Sequence, residues 1–325
     1  MRSRWKWLRY RLEHAALVLT TTLIPLLPRK CCLALARVFG ALMSRLDRRS
    51  FRVAVSNLEA AFGDRFTVEQ REEIARQSFQ HFARSAVDLL WSSRLTREKV
   101  SRLVELENFE EMQRSIGPEW SVLIACYHYG NFEWLSLACA YIGLNGSIIT
   151  QEFKNTLLEP VFRRIRERTG HKMVPRERGI MRLYKIARRK GRIALLVDLT
   201  IPPRRGAVAI ECFGLKTSVT AAHVWLNEQT GIPLVPAHCE PLPNGRYRIV
   251  FHPKIEIKPG QTHQEVAQAC WNSFEPYVRK NPAPWLWMYK HWRYRPANAA
   301  RSYPFYSGFS LEFEALLRKT EGTPG

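Results

Sequence analysis

The sequence lacks several patterns that would assign it to common protein classes. No two of its seven cysteines have the Cys-x-x-Cys spacing, their number is odd, and most lie in apolar stretches. This usage is typical of reduced, buried thiols in a chain that faces the cytosol, and it argues against a metal site such as zinc. There is no Gly-x-Ser-x-Gly elbow and no placed Cys–His pair, which disfavours a hydrolase. Nothing repeats at a fixed period.

Long uninterrupted apolar runs are also missing. The apolar run at residues 15–27 has thirteen residues, whereas a helix that spans a bilayer needs about twenty. Arg29 and Lys30 separate it from a second apolar patch at residues 31–43. Together with the cationic start and its tryptophans, this predicts a helical element that lies in the membrane interface. A spanning helix, a cleaved signal peptide and packing against the core are the alternatives.

Acidic residues are scarce relative to basic ones. The chain has 50 Lys and Arg against 29 Asp and Glu, a net charge of +21. Residues 2–52 carry a net +10 and residues 163–192 a net +11, so these two segments account for the whole excess. So local an excess indicates docking surfaces for anionic partners. Because no nucleic-acid-binding motif is recognised, a nucleic-acid binder is the weaker interpretation.

From residue 120 onward, strands and helices alternate. Short apolar runs separated by helical patterns of ten to fifteen residues predict βαβ units. The turn at residues 243–245 predicts one antiparallel pair, and residues 200–216 are predicted as a loop. We therefore expect an α/β fold with a mixed, largely parallel sheet flanked by helices. The expected strands are 122–126, 147–150, 172–174, 193–197, 234–239 and 247–251.

Two pairs of histidine and glutamate have four residues between them, His128 with Glu133 and His223 with Glu228. Five residues along an α-helix leave side chains about 140° apart, so the second pair, within one predicted helix, should diverge and be structural. His128 instead follows a predicted strand, and Gly130 lets the backbone bend so that Glu133 can point back at the imidazole. The pattern predicts a catalytic base, His128, oriented by Glu133. A packed histidine is the alternative.

Four stretches resemble, in the right order, the lipid A biosynthesis acyltransferases, a family within the glycerolipid acyltransferase superfamily. They are His-Tyr-Gly-Asn-Phe-Glu at 128–133, Asn-Leu-Glu-Ala-Ala-Phe at 57–62, the stretch from Leu195 to Gly214 that contains Asp198, and the Trp-rich segment 284–293. The chain departs from the family at Leu199, where Gln or His is usual, and at Tyr289-Lys290, where His-Arg is usual.

This resemblance implies a membrane-associated O-acyltransferase on the cytoplasmic face of the bacterial inner membrane. The donor would be an acyl thioester of acyl carrier protein or coenzyme A. The acceptor would be a hydroxyl of a phosphorylated glycolipid, most simply a lipid A precursor, and no cofactor is expected. Because of the departures, a phosphatidylinositol mannoside or another membrane lipid remains open as the acceptor, and a non-catalytic basic binding protein is the remote alternative.

Further candidates follow from position. Arg164 and Arg168 lie four residues apart on one predicted helix face and are candidate substrate-binding residues for phosphates or an acidic carrier, with a solvated face as the alternative. Asp198 ends the strongest strand, where it is a candidate to orient the site or to cap a loop. Asn131, which opens the helix after the motif, is a candidate substrate contact. The tryptophans of segment 284–293 line an acyl groove, pack in the core or form an interfacial belt.

These predictions divide the chain into two parts. Residues 1–50 form an N-terminal membrane-associating segment. Residues 51–325 form one acyltransferase domain, an αβ sandwich with a helical prelude at 51–118, an α/β core at 119–295 and a tail at 296–325.

Overall fold

Helices form the N-terminal part of the chain and cover the sheet that follows. The computed structural model describes residues 2–320, so Met1 and residues 321–325 of the predicted tail lie outside the described residues. Thr67 and Gln70 form a reciprocal capping box at the start of α4, as their spacing predicts. The α-helices of residues 2–320 are α1 Arg2–Leu23, α2 Arg29–Leu46, α3 Arg48–Phe62, α4 Val68–Trp91, α5 Arg97–Leu103, α6 Phe109–Ile116, α7 Phe132–Tyr141, α8 Glu159–Glu167, α9 Gly179–Arg188, α10 Ala222–Thr230, α11 His263–Lys280 and α12 Leu311–Thr320.

The strands form one large mixed sheet and two small ones. The large sheet has the order β1-β9-β8-β2-β5-β3-β4, and its pairs are parallel except β8–β9, which the turn at residues 243–245 joins. This confirms the predicted α/β class and the predicted antiparallel pair. The strands are β1 Val104–Glu107, β2 Leu123–Gly130, β3 Ser147–Thr150, β4 Lys172–Pro175, β5 Ile193–Leu196, β6 Ala207–Cys212, β7 Leu215–Thr220, β8 Leu234–Pro241, β9 Tyr247–Phe251, β10 Tyr294–Arg295 and β11 Gly308–Phe309.

Strand β2 lies in the middle of the large sheet and separates two hydrophobic cores. Side chains alternate between the faces of a strand, so Leu123, Ala125 and Tyr127 enter the core that α3, α10 and α11 cover. Ile124 and Cys126 face the other core, which α2, α5 and α7 cover. Being covered on both faces explains why β2 is a nearly continuous apolar run in the sequence.

The structure corrects the sequence prediction at three places. Residues 200–216, predicted as a loop, contain β6 and the start of β7, which pair as an antiparallel hairpin apart from the large sheet. β1 was not predicted, yet it forms the edge of the large sheet beside β9. The predicted tail contains α12, whose Phe313 is fully buried. The hairpin was not predicted because the prolines and glycines of this segment indicate turns. The pairing of β6 depends on β7, and a local pattern does not show it.

The two N-terminal helices attach to the rest of the molecule at several points. Helix α2 packs so closely on α4 that a Cβ at Gly40 would lie 2.4 Å from the Cα of Gln80, which explains the glycine there. At the start of α2, the Arg29 guanidinium forms an ion pair with the buried Asp88 of α4. None of the helices in residues 2–320 has both the length and the apolar composition to cross a membrane.

Asp88 connects several elements, and its removal should cost much of the fold's stability. Its carboxylate accepts hydrogen bonds from Arg29, from Asn131 Nδ2 at 2.9 Å and from the Tyr247 hydroxyl at 2.5 Å. Asp88→Ala leaves a largely buried guanidinium without its counter-ion, so we expect the free energy of unfolding to fall by about 3–5 kcal/mol. Thermal and urea unfolding measure this. The matched control is Glu98→Ala, which breaks an exposed ion pair with Arg102 and should change stability little.

Candidate active site

Two neighbouring parallel strands end side by side, and the side chains at their ends meet. β2 and β5 pair with Cys126 opposite Leu196. His128 and Asp198 are each two residues further on, so the alternation of side chains places both on the same face. His128 lies within β2 and not in the predicted loop, because the strand continues to Gly130 and pairs there with β8. The site therefore lies at the C-terminal edge of the sheet, where open α/β folds bind ligands.

The His128 side chain is oriented by the Asp198 carboxylate. His128 Nδ1 lies 2.7 Å from Asp198 Oδ1, and the backbone N–H of His128 donates to Oδ2 at 3.0 Å. Because an ionised carboxylate only accepts hydrogen bonds, the proton of a neutral imidazole lies on Nδ1 and the lone pair on Nε2. No side chain or backbone group of residues 2–320 hydrogen-bonds Nε2, and 13% of the His128 side chain is exposed. Nε2 is therefore free to accept a proton from a bound molecule.

Asp198 is ionised although it is fully buried. Burial by itself raises the pKa of the Asp198 carboxyl, but the charge of His128 and the hydrogen bonds from His128 and Trp285 outweigh it, and the pKa lies below its usual value. Trp285 Nε1 donates to Asp198 Oδ2 at 2.9 Å. Asp198 thus has the position expected of a residue that orients the site.

Glu133 binds Arg166 and forms no hydrogen bond with His128, contrary to the expected contact. Arg166 Nε and Nη2 donate to the two carboxylate oxygens of Glu133 at 3.0 and 2.5 Å. The sequence prediction had assumed a loop at His128, whereas the strand keeps the imidazole beside Asp198 and the first turn of α7 directs Glu133 toward α8. Burial by itself lowers the pKa of Arg166, but its ion pair with Glu133 raises it above the usual value. Arg166 is therefore a fixed positive charge.

Helix α8 separates its arginines onto two faces. Phe162 and Ile165 pack against the core below α7, and Arg166, four residues after Phe162, lies on that inner side with its guanidinium 5.5 Å from the Phe162 ring. Arg164 and Arg168 are exposed and form no ion pair with any described residue. Arg164 lies within α8, whereas Arg168 is the residue after its last turn, and the arginine that pairs with Glu133 is the one between them. The apolar spacing of the helix was the signal that could have identified it.

The turn after His128 is fixed by Gly130 and Asn131. Gly130 has φ +57°, and a Cβ there would lie 1.9 Å from the carbonyl oxygen of Cys239, so glycine is required. Asn131 is fully buried: its Oδ1 accepts the N–H of Trp134, and its Nδ2 donates to Asp88. The amide of Asn131 therefore caps α7 and anchors α4, which contradicts the predicted substrate contact.

The second His-x4-Glu pair diverges, as its helical spacing predicts. His223 is buried within α10, whereas Glu228 is exposed and accepts a hydrogen bond from His263 Nε2 at 3.0 Å. Within residues 2–320 no group of three or more His, Cys, Asp or Glu side chains is arranged to hold a metal ion.

The tryptophans of segment 284–293 are core residues. Trp285, Trp287 and Trp292 are each 0% exposed and pack around Phe213. The acyl-groove interpretation is therefore wrong for these side chains, and the core alternative holds. Their contribution to the site is indirect, through the indole hydrogen bond from Trp285 to Asp198.

A small apolar cavity lies against the part of β2 that carries Ile124 and Cys126. It is lined mostly by β2, α7, β3 and β5, with Leu135, Cys139 and Ile148 among its side chains. Its volume is about 30 Å³, the room of one or two water molecules, and His128 is not among its lining residues.

Helix α1 touches the loop that follows β3 at the same edge of the sheet. Asn155 Nδ2 donates both to the carbonyl oxygen of Tyr10 and to the carboxylate of Glu13, at 2.9 Å each. Because β3 is parallel to β5, this loop leaves the sheet at the edge that carries Asp198. The N-terminal helix is therefore attached to the border of the candidate site.

Comparison with known proteins assigns this arrangement to one family. The family model described as bacterial lipid A biosynthesis acyltransferase matches residues 3–294, most of the chain and all of the site. No curated protein matches the chain.

Proposed function

The chain belongs to the bacterial lipid A biosynthesis acyltransferase family, and from this premise we propose that it moves a fatty acyl chain from a thioester to a hydroxyl of a phosphorylated glycolipid. Membership of the family makes it an acyltransferase of the lipid A biosynthesis type. The observation that carries the more specific proposal is the His128–Asp198 pair, which leaves the Nε2 lone pair without a hydrogen bond from residues 2–320 at the edge of the sheet.

In the proposed reaction His128 acts as the general base. Its Nε2 takes the proton of the acceptor hydroxyl while that oxygen attacks the thioester carbonyl, and Asp198 stabilises the imidazolium that forms. When the tetrahedral intermediate collapses, the C–S bond breaks and His128 returns the proton to the leaving thiolate. No step requires a covalent acyl-enzyme, so both substrates are bound together.

Arg166 supplies the positive charge that this chemistry needs. Negative charge develops on the carbonyl oxygen during the attack, and a fixed donor near that oxygen lowers the barrier. The ion pair with Glu133 holds the Arg166 guanidinium beside the first turn of α7. Glu133 is five residues after His128 in the chain. In this proposal Glu133 positions Arg166, and Asp198 takes the role first predicted for Glu133.

The exposed basic residues support an anionic partner. Arg164 and Arg168 have no acidic partner among the described residues, and helix α9 adds Arg182, Lys185 and Arg188 in an exposed setting. The α8 arginines suit the phosphates of the acceptor, and the α9 surface suits an acidic acyl carrier protein or the phosphates of coenzyme A. A phosphatidylinositol mannoside or another phosphorylated membrane lipid is the alternative acceptor.

We further propose that α1 and α2 lie in the interface of the bacterial inner membrane, on its cytoplasmic face. Both helices expose apolar side chains, and in α2 these lie mostly at spacings of three and four residues, which is typical of a helix with one face in lipid. Basic side chains accompany them and favour anionic headgroups. The exposed large apolar residues are Trp5, Trp7, Leu8, Leu12, Val18, Leu19 and Leu23 in α1 and Leu35, Val38, Phe39, Leu42 and Leu46 in α2.

Vesicle binding tests this attachment. We expect the protein to float with vesicles containing phosphatidylglycerol, and the double variant Leu12→Ser/Leu19→Ser to bind at least about tenfold more weakly, since burying one leucine contributes about 1.5–3 kcal/mol. The control is Phe305→Ser/Leu311→Ser, which removes equally exposed apolar side chains near the C-terminus. Equal losses in both double variants would contradict the proposal.

Lipid analysis tests the reaction. Mass spectrometry of lipids from a host without this protein should show a glycolipid that lacks one acyl chain. Purified protein given an acyl thioester should restore that chain to the isolated precursor. If hosts with and without the protein have identical lipid profiles and the purified protein consumes no thioester, the proposed activity is wrong. If the missing chain belongs to another phosphorylated lipid, the alternative acceptor is correct.

A further inference from the structure

We propose that Trp285 is a positioning residue for the reaction, and that its indole N–H holds the Asp198 carboxylate in the orientation that sets the His128 tautomer. The inference rests on the proposed function of His128 as a base. It assigns a role to the closing Trp-rich segment, and through it to Asn57 in the helical prelude, for which the reaction alone gives no reason.

The hydrogen bonds of Asp198 single out Trp285. Three donors from residues 2–320 reach the carboxylate, namely Nδ1 and the backbone N–H of His128, and Nε1 of Trp285. Two of the three belong to His128, so they move with the group that Asp198 has to orient. Trp285 is the donor that fixes the carboxylate independently of His128.

Trp285 is itself held firmly beside the end of β2. The N–H of Gly130 donates to the Pro284 carbonyl at 3.0 Å, and the N–H of Leu286 donates to the His128 carbonyl at 3.2 Å. The indole stacks on the His291 ring, with 3.9 Å between the ring centres. Backbone pairing and ring stacking therefore place the indole N–H relative to the catalytic strand.

The helical prelude supports the same segment. Ser78 of α4 donates its hydroxyl to the Trp285 carbonyl at 2.6 Å. Asn57 of α3 donates from its amide to the carbonyls of Trp287 and Tyr289, at 2.7 Å each, and is completely buried. This explains why the Asn-Leu-Glu-Ala-Ala-Phe stretch belongs with the site: its asparagine fastens the segment that carries Trp285.

Loss of the indole donor should weaken the ionised form of Asp198. The pKa of Asp198 lies below its usual value partly because of the hydrogen bond from Trp285, while burial acts to raise it. Without that bond the carboxyl protonates at a higher pH. A neutral Asp198 no longer stabilises the imidazolium and no longer fixes the proton on Nδ1.

The test compares Trp285→Phe with the matched control Trp287→Phe. Both indoles are fully buried, but Trp287 Nε1 donates to the carbonyl of Pro282 at 2.7 Å and not to Asp198. In Trp285→Phe we expect kcat to fall by about tenfold to a hundredfold with little change in KM, because a loosely held carboxylate no longer fixes the imidazole proton on Nδ1. In Trp287→Phe kcat should stay near that of the wild type. An unchanged kcat in Trp285→Phe, or equal losses in both variants, would overturn the proposal.

Thermal unfolding against pH gives a readout that does not need activity. A carboxyl with a lowered folded pKa stabilises the protein above its unfolded pKa, and this contribution is lost as the pH falls through the folded pKa. The melting temperature of Trp285→Phe should therefore lie furthest below that of the wild type near neutral pH, and the gap should narrow in acid. The gap for Trp287→Phe should not depend on pH in this window.

The two arms separate the inference from the proposed function. If no thioester is consumed by the wild type but the unfolding gap narrows as described, Trp285 holds Asp198 and the proposed reaction is wrong. If Trp285→Phe does not fold, Ser78→Ala is the test variant in its place. Its control is Ser92→Ala, at the residue that follows the end of α4. Ser78→Ala should lower kcat in the same way by a smaller amount, with little change in KM, and an unchanged kcat would overturn the proposal.

Discussion

Replacing His128 by asparagine is expected to lower acyl transfer by about 10²–10⁴-fold, the usual contribution of a general base. Asparagine is chosen because its Nδ2 can occupy the place of Nδ1 and donate to Asp198, so the buried carboxylate keeps a partner. The variant lacks an atom in the place of Nε2. The loss should appear in kcat, since His128 takes the proton in the transition state and contributes little to ground-state binding.

The measurement is the rate of thioester consumption and of lipid acylation by the purified variant. Circular dichroism and thermal unfolding establish that His128→Asn is folded. His263→Ala serves as the control because it removes an exposed histidine that also contacts a glutamate, and it should keep the wild-type rate. An active His128→Asn enzyme would rule out the imidazole as the base.

The variant Asp198→Asn is expected to lose up to about 10⁴-fold in kcat, the size known for the equivalent change in hydrolase triads. An asparagine amide can donate to Nδ1, which places the imidazole proton on Nε2 and removes the base. The geometry further predicts that Asp198 acts with His128, whereas Glu133 acts with Arg166. The two pairs should therefore behave as separate units.

Double-mutant cycles test this separation. Glu133→Gln combined with Arg166→Gln should cost little more than Arg166→Gln alone, because Glu133 acts through Arg166. Glu133→Gln combined with Trp285→Phe should show additive losses, since the two changes affect different partners. If instead Glu133→Gln is coupled to changes around His128 and uncoupled from Arg166, the Glu133–imidazole contact predicted from the sequence forms during the reaction.

Much of the fold could be predicted because its signals are local. The strands at 147–150 and 247–251 have the bounds that their apolar runs predict. The hairpin at β6 and β7 could not be predicted in this way. Its stability comes from pairing and from packing on α11, whereas its own residues indicate turns.

The candidate site was predicted in part. The sequence identified His128 and Asp198 but associated the histidine with Glu133, its neighbour along the chain. The tertiary structure gives Nδ1 to Asp198, seventy residues away. It also buries Asn131. It pairs Arg166 with Glu133, whereas the sequence prediction had selected the neighbouring Arg164 and Arg168.

The sequence by itself determined many elements of this protein, its basic segments and a candidate histidine at the end of a buried strand, because periodicity, capping and charge are properties of short stretches. Only the tertiary structure decided which carboxylate orients that histidine and which arginine lies beside it. The reason is register: parallel pairing of β2 with β5 aligns residues that are far apart in the chain, and no local pattern records which strands are neighbours.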